Sequence, residues 1–284
     1  ATRDRRAREP GYVLTEAGFG ADMGLERFID LKCATSGMRP EAAVLVVTVR
    51  ALKVHSGRHH LAGRQEPPDR MLHVRAGAPN MLKHLDIVRG FGLEPVVAVN
   101  VFPTDHDAEI DEVLRLARGA GARAAAVRPV TDGGEGCLEL ADAVVEACDR
   151  ARAGAVARGR PVYRPDDDLR TKIGAVASVY GADGVDYAPA AARFLDDCES
   201  DGFGSLPVVV AKTPLSLSHD PALKGVPTGW RLPVREVRLA AGAGYVYALC
   251  GTVSTMPGLP THPAAERIEV GQHFIAETVV AHRA

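Results

Sequence analysis

The stretch TEAGFGADMG, residues 15–24, sets Gly18, Gly20 and Gly24 in a G-x-G-x-x-x-G spacing with Asp22 among them. Such loops let a backbone approach a phosphate closely. This one is a residue off the dinucleotide pattern and lacks the lysine of a triphosphate loop. A second stretch, NVFPTDHDAE at 100–109, follows a β-branched run. Ligands of open α/β sheets bind beyond the carboxyl ends of strands, and Phe102 there offers a flat face to a ring-bearing ligand. The plainer reading is a helix cap, from Thr104 or Asp105, with a hydrophobic staple. In TVRALK, 48–53, Arg50 and Lys53 lie just past another strand end, where cations suit a phosphate or carboxylate. The plainer reading, which the sequence alone favours, is a solvated pair at a helix start. DGGEG at 132–136 could offer backbone N–H groups to an anion, but Glu135 opposes it and a simple turn explains it.

The segments 212–230 and 235–260 concentrate Pro, Gly, Ser and His just after strands. His219 and Asp220 suggest a base and its orienter, yet adjacent side chains rarely face one another, so Ser218-His219-Asp220 is no triad by spacing. No H-E-x-x-H, G-x-S-x-G or metal-ligand cluster occurs, and His59-His60 is too little for a metal site.

These residues need a scaffold. The 284 residues suffice for one large domain or two to three small ones. Apolar residues at 46% and charged residues at 25% are an ordinary globular balance, and a net charge of −2 argues against a nucleic-acid partner. Apolar runs are too short to span a bilayer, and the arginine-rich start is followed by no secretory signal. Five scattered cysteines without a C-x-x-C pair suit a reducing, cytoplasmic setting. The polar residues 1–9 read as a disordered or non-native lead-in.

Periodicity alternates helix and strand. Buried strands are expected at 42–49 and 95–101, with further strands at 123–127, 206–212, 234–239 and 245–249. Helices are expected from Pro79 to 90, and at 105–118, 137–157, 171–180 and 187–197, with 55–78 a long loop. This order predicts an α/β fold of mainly parallel sheets flanked by helices.

Three longer stretches resemble a known family: GYVLTEAGFGADMGLERFIDLKC, SGMRPEAAVLVVTVRALKVH and PNMLKHLDIVRGFGLEPVVAVNVFPTDHDAEI. Together with YGADGVDYAP, AKTPLSLSHDPALKGVPTG, PVREVRLAAGAGYVYALCG and TMPGLPTHPAAERI, they resemble formate–tetrahydrofolate ligase in the same order over about residues 11–268. The resemblance implies a remnant of a P-loop-NTPase-like ligase fold with smaller α/β C-terminal domains. The expected division is 1–75 (nucleotide and formyl-phosphate side), 76–165 (folate side) and 166–284 (C-terminal domain).

The implied chemistry uses ATP and Mg²⁺ to convert formate to formyl phosphate, which tetrahydrofolate captures as 10-formyltetrahydrofolate. A monovalent cation is a further cofactor the resemblance allows. It assigns Phe19, Gly20, Asp22, Phe102, Pro103, Thr104 and Asp105 to folate, Arg50 and Lys53 to the anionic, catalytic side, and Ser254, Met256, Pro257 and Gly258 to the nucleotide. It also implies a homotetramer.

Two departures stand out. Where the family has a tryptophan in W-A-K before the G-G-E-G loop, this chain has Val130, so one wall of a pterin clamp is aliphatic. No G-x-x-x-x-G-K-[ST] occurs in these 284 residues, and the family pattern implies a preceding half, or a separate subunit, that carries it. Three readings follow: the C-terminal part of a ligase, inactive alone; a free-standing folate-binding module; or a decayed remnant, which the intact long motifs disfavour.

Overall fold

A computed structural model describes residues 11–57, 70–251 and 261–263. The β-branched runs form a parallel sheet of β1 (Ala42–Val47), β2 (Glu94–Asn100) and β3 (Arg123–Val127), in that order. Val47 pairs with Val99 and Asn100 with Val127, so the three strands end together at one carboxyl edge.

Four helical elements serve this sheet before and between its strands. Helix α1 begins with the π-type turns Ala21–Leu25 and Phe28–Cys33 and ends in the α-turn Ala34–Ser36, closed by Gly37 at φ +71°. Thr48 accepts the Ala51 N–H and caps α2 (Val49–His55). Helices α3 (Arg70–Gly90) and α4 (Asp107–Gly119) make the β1–β2 and β2–β3 crossovers. Beyond β3, the short α5 (Pro129–Asp132) leads to α6 (Leu138–Arg152), which returns across the opposite face.

Downstream come α7 (Leu169–Tyr180), β4 (Val185–Tyr187), α8 (Pro189–Ser200), β5 (Val208–Ala211), β6 (Leu232–Val234), β7 (Glu236–Ala240) and β8 (Tyr245–Leu249). They make a two-stranded parallel β4–β6 sheet and a β5–β8–β7 sheet whose β7–β8 pair is antiparallel. The expected α/β fold with mainly parallel pairing is therefore present.

Burial explains the arrangement. Val97, Val99, Val113 and Leu85 close one core under β1–β3, while Ile173, Tyr180, Leu195 and Leu232 close another around the later strands. Ile29, Phe91 and Leu93 join α1 to α3. Each such fully buried side chain stabilises the fold by about 1.5–3 kcal/mol.

Several element boundaries differ from expectation. Pro79 lies inside α3, not at its start, and residues 70–78 are helical. Proline removes one backbone donor there. The helix persists because Val74, Ala78, Met81 and Leu85 are all buried along it, and because Gly77 brings it against α2 so closely that a Cβ would overlap the Leu52 carbonyl. Tyr187 belongs to β4, where it pairs with Val234, and the next helix waits for Pro189 at its first turn. Nor is β1 a fully buried strand: Val44 is 40% and Val46 63% exposed. Residues 1–9, His59 and His60 lie outside the described residues.

Candidate functional site

The loop before α1 is shaped by two close approaches. A Cβ on Gly24 would overlap the carbonyl oxygen of Gly18, so residues 15–20 cross directly over the first turn of the helix. A Cβ on Gly20 would sit 2.6 Å from Asp22 Oδ1 and 2.9 Å from His84 Nε2. Gly20 and Gly24 thus serve packing, whereas a Cβ on Gly18 would meet open space. Between them Phe19 has φ +62°, the only left-handed non-glycine backbone among the described residues, and its ring is 69% exposed. An aromatic residue in that region is strained by roughly 1 kcal/mol or more. Such strain persists where the surroundings impose it, commonly at ligand sites.

The surroundings are ionic. Asp22 is buried, with Oδ2 2.6 Å from Lys212 Nζ and Oδ1 3.4 Å from His84 Nε2. Lys212, just beyond β5, also donates to the carbonyls of Ser216 at 2.7 Å and Thr213 at 3.3 Å, and lies 4.8 Å from the Tyr180 ring centroid. His84 Nδ1 faces the Asn80 carbonyl at 2.8 Å, while Asn80 Nδ2 donates to Gly225 O at 2.8 Å. Burial raises the Asp22 pKa, but His84 and Lys212 together outweigh it and hold the carboxyl below its usual range. Asp22, expected to face ligand, instead anchors the loop from below.

Farther along α1, Glu26 and Asp30 follow Asp22 at spacings of four and share its buried side. Neither Glu26 oxygen has a hydrogen-bond partner, and burial, with Asp30 nearby, pushes its pKa well up. Asp30 Oδ1 accepts the Val162 N–H at 2.9 Å, yet burial raises its pKa to about 7. A carboxyl whose folded pKa exceeds its unfolded value binds more protons in the folded state, so stability declines as pH rises from about 4 to about 7. Asp30→Asn keeps an acceptor for Val162 and removes this loss. It is expected to stabilise the chain by up to about 4 kcal/mol at pH 8 and by little at pH 4, read from urea denaturation at both values.

The other candidates meet at the carboxyl edge of β1–β3. Phe102 and Pro103 leave β2 exposed, Phe102 at 48%. Asp105 does not cap α4; its Oδ2 accepts the Phe102 N–H at 2.9 Å, and its own N–H donates to Phe102 O at 2.9 Å. That turn holds Phe102 outward, so the ring is not a buried staple. His106 occupies the cap position, and Glu109 reaches back to its N–H at 3.3 Å. Thr104 is exposed in the same turn. Arg50 is exposed on α2, whereas Lys53 is buried 2.6 Å from Glu109, so the two are not a solvated pair. Val130, 81% exposed on α5, stands beyond the adjacent strand end.

His55, at the end of α2, accepts the Gly225 N–H at 3.3 Å; burial and the charges of His84 and Lys224 lower its pKa to about 4. A cleft of about 510 Å³ opens beside it, between Ser56 and Lys224.

His219 and Asp220 do not form a catalytic pair: Asp220 Oδ1 accepts the Ala222 N–H, and the His219 ring lies against Trp230. Ser254, Met256, Pro257 and Gly258 lie outside the described residues. The five cysteines are free, and burial raises the Cys250 thiol to about 12. No group of three His, Cys, Asp or Glu side chains poised to hold a metal occurs among the described residues, and no helix there is long and apolar enough to cross a membrane.

Sequence reasoning passed over Lys212, His84 and Asn80, although Lys212 opens the Pro-, Ser- and His-rich segment noted above. Its position one residue beyond a strand was the available signal. For Glu26 the signal was the four-residue spacing of the acids Asp22, Glu26 and Asp30 among the apolar residues Leu25, Phe28 and Ile29.

The family model described as formate–tetrahydrofolate ligase matches residues 3–278. The formate–tetrahydrofolate ligase of Saccharopolyspora erythraea is 58% identical over 268 residues, covering 92% of this chain and 46% of that protein. The ligase of Cutibacterium acnes is 58% identical over 265 residues, covering 91% and 46%. That of Symbiobacterium thermophilum is 49% identical over 261 residues, again 91% and 46%. The chain spans about half the length of the curated relatives it matches.

Proposed function

Since this chain belongs to the formate–tetrahydrofolate ligase family, we propose that it forms the folate-facing part of such a ligase and needs the remainder of the family's length for activity. The observation that carries this reading is Phe19, an exposed aromatic held at φ +62° over a buried ion pair. Phe102, clamped outward by Asp105, supplies a second exposed ring.

In the proposed reaction ATP transfers its terminal phosphoryl group to formate, giving ADP and formyl phosphate. The folate amine attacks the formyl carbon, the C–O bond to phosphate breaks, phosphate leaves, and the nitrogen loses its proton. Formate alone has oxide as its leaving group, so phosphorylation is what makes acyl transfer feasible. Mg²⁺ accompanying ATP would neutralise phosphate charge. On this chain Phe19, Phe102 and Pro103 take the pterin, Thr104 and Asp105 shape that wall, and Arg50 meets anionic charge. Gly20 and Asp22 fix the Phe19 loop. Lys53 orients α2 through Glu109. Ser254, Met256, Pro257 and Gly258 are proposed for the nucleotide, in a homo-oligomer acting in the cytoplasm.

Val130 favours a second reading, a folate-binding module without ligase chemistry, because an aliphatic side chain occupies the place of the second stacking wall. Calorimetric titration of the isolated chain with tetrahydrofolate tests the shared premise. Phe19→Ala and Phe102→Ala are each expected to weaken binding about fivefold, and Val130→Trp to strengthen it by a similar factor, as a stack worth about 1 kcal/mol dictates. All three positions are exposed, so thermal midpoints should stay put. Equal affinity in all four proteins removes the aromatic wall from the site.

A further inference from the structure

We infer that the open edge of β1, with the exposed valines Val44 and Val46, is the seam on which the rest of the family's chain length docks by adding a parallel strand and a covering helix. This rests on the ligase reading above. Sheets made only of parallel strands are normally covered on both faces, and their strands are buried throughout. Here that holds for β2, where Val96, Val97, Ala98 and Val99 are all buried. It fails on one side of β1. Ala43 and Leu45 pack toward α1 and α3, while Val44 and Val46, in register with Val96 and Ala98, lie 40% and 63% exposed. Helix α6 packs on β3, β2 and β1 from that face, yet leaves these two valines exposed.

The strand edge itself is open as well. β2 occupies one side of β1, and no described strand pairs with the other. A flat apolar edge of this kind is a pairing template unless something covers it. The chain's leading segment reaches the entrance to β1. Tyr12 lies under Arg152 of α6, with the guanidinium 4.6 Å from the ring centroid, and Arg152 also pairs with Glu41 at the entrance to β1. Val13 and Leu14, which follow Tyr12, are 86% and 81% exposed.

Val44 and Val46 thus stand exposed beside a parallel edge that no described strand pairs. The relatives carry more than half of their length outside the region matched here. A right-handed crossover that runs outward from the added strand, away from β2, places its helix on the face opposite α3 and α4, the one bearing Val44 and Val46. The occupant is therefore a βα unit from the unmatched portion of the ligase.

The test replaces the matched 268-residue region of the Saccharopolyspora relative with this chain, and compares the Val44→Lys/Val46→Lys double variant in that chimera and in the isolated chain. The expected result is a thermal midpoint lower by about 5 °C or more in the chimera, with little change in the isolated chain, where both side chains already meet water. Backbone amides 42–47 should exchange more slowly in the chimera. Should the lysine chimera fail to fold, Val44→Thr/Val46→Thr keeps strand propensity and should show the same difference at smaller size. Equal shifts in both contexts, or none, overturn the seam. So does an isolated chain that forms a dimer abolished by the lysine pair, since the occupant is then a second copy. A chimera that lacks ligase activity yet shows the differential shift rejects the ligase reading and leaves the seam standing. An active chimera indifferent to both double variants does the reverse.

Discussion

Lys212→Met is expected to lower the unfolding free energy by about 3–5 kcal/mol, a large share of the stability of an ordinary domain. The ammonium is fully buried against Asp22 Oδ2 at 2.6 Å. Its removal leaves a carboxylate inside the protein with His84 as its remaining neighbour at 3.4 Å. It also strands the Ser216 carbonyl, which accepts from the same ammonium at 2.7 Å. Breaking one side of a buried pair costs more than the pair contributes, because the survivor stays desolvated.

The matching control is Asp22→Asn with Lys212→Met. With both charges gone, the double variant should lose less than the sum of the two single losses, a coupling that urea denaturation of all four proteins measures. A loss below about 1 kcal/mol in Lys212→Met would mean that the pair is solvated, like a surface bridge. The consequence reaches the proposed folate site, since Asp22 underlies Gly20 and the strained Phe19. Lys212→Met should therefore weaken tetrahydrofolate binding as well, at temperatures where it remains folded.

Much of the scaffold was legible in the sequence. Short apolar runs with turn signals located β2, β3 and β8 to within a residue or so; β2, buried on both faces, reads as a continuous apolar run, while β8 alternates. Tertiary packing hid the rest. The first two turns of α3 looked like loop because Gly77 and Pro79 are helix breakers by propensity, while Gly77 is needed for contact with α2. The same applies to the glycines of 15–24, whose spacing suggests a phosphate cradle until the crossing over Gly24 shows why no side chain fits there.

Of the site, Phe102 could be read locally, since it follows a strand end, whereas Phe19 came only with the family resemblance. The buried network could not. Asp22 and Lys212 are 190 residues apart and meet only through the fold. Lys53 likewise looked like one of a solvated pair because Glu109, its partner, lies three elements on, in α4. Val44 and Val46 read as core because nothing in a β-branched run distinguishes a central strand from an uncovered edge.

The second large effect concerns activity. The isolated chain is expected to form no 10-formyltetrahydrofolate from formate, ATP, Mg²⁺ and tetrahydrofolate, since no triphosphate-binding G-x-x-x-x-G-K-[ST] loop occurs among its 284 residues. Restoring the unmatched portion of a relative should restore the reaction. Identity of 58% over the matched region leaves the surfaces between the two portions largely compatible. Val130 should still leave its mark, as a several-fold higher KM for tetrahydrofolate than in the parent and little change in KM for ATP.

The most direct measurement is thus ATP-dependent formation of 10-formyltetrahydrofolate by the chimera, beside the parent ligase and the isolated chain. The account predicts product from the chimera and parent and none from the chain alone. A folded chimera without activity, or an isolated chain that makes product, would contradict it.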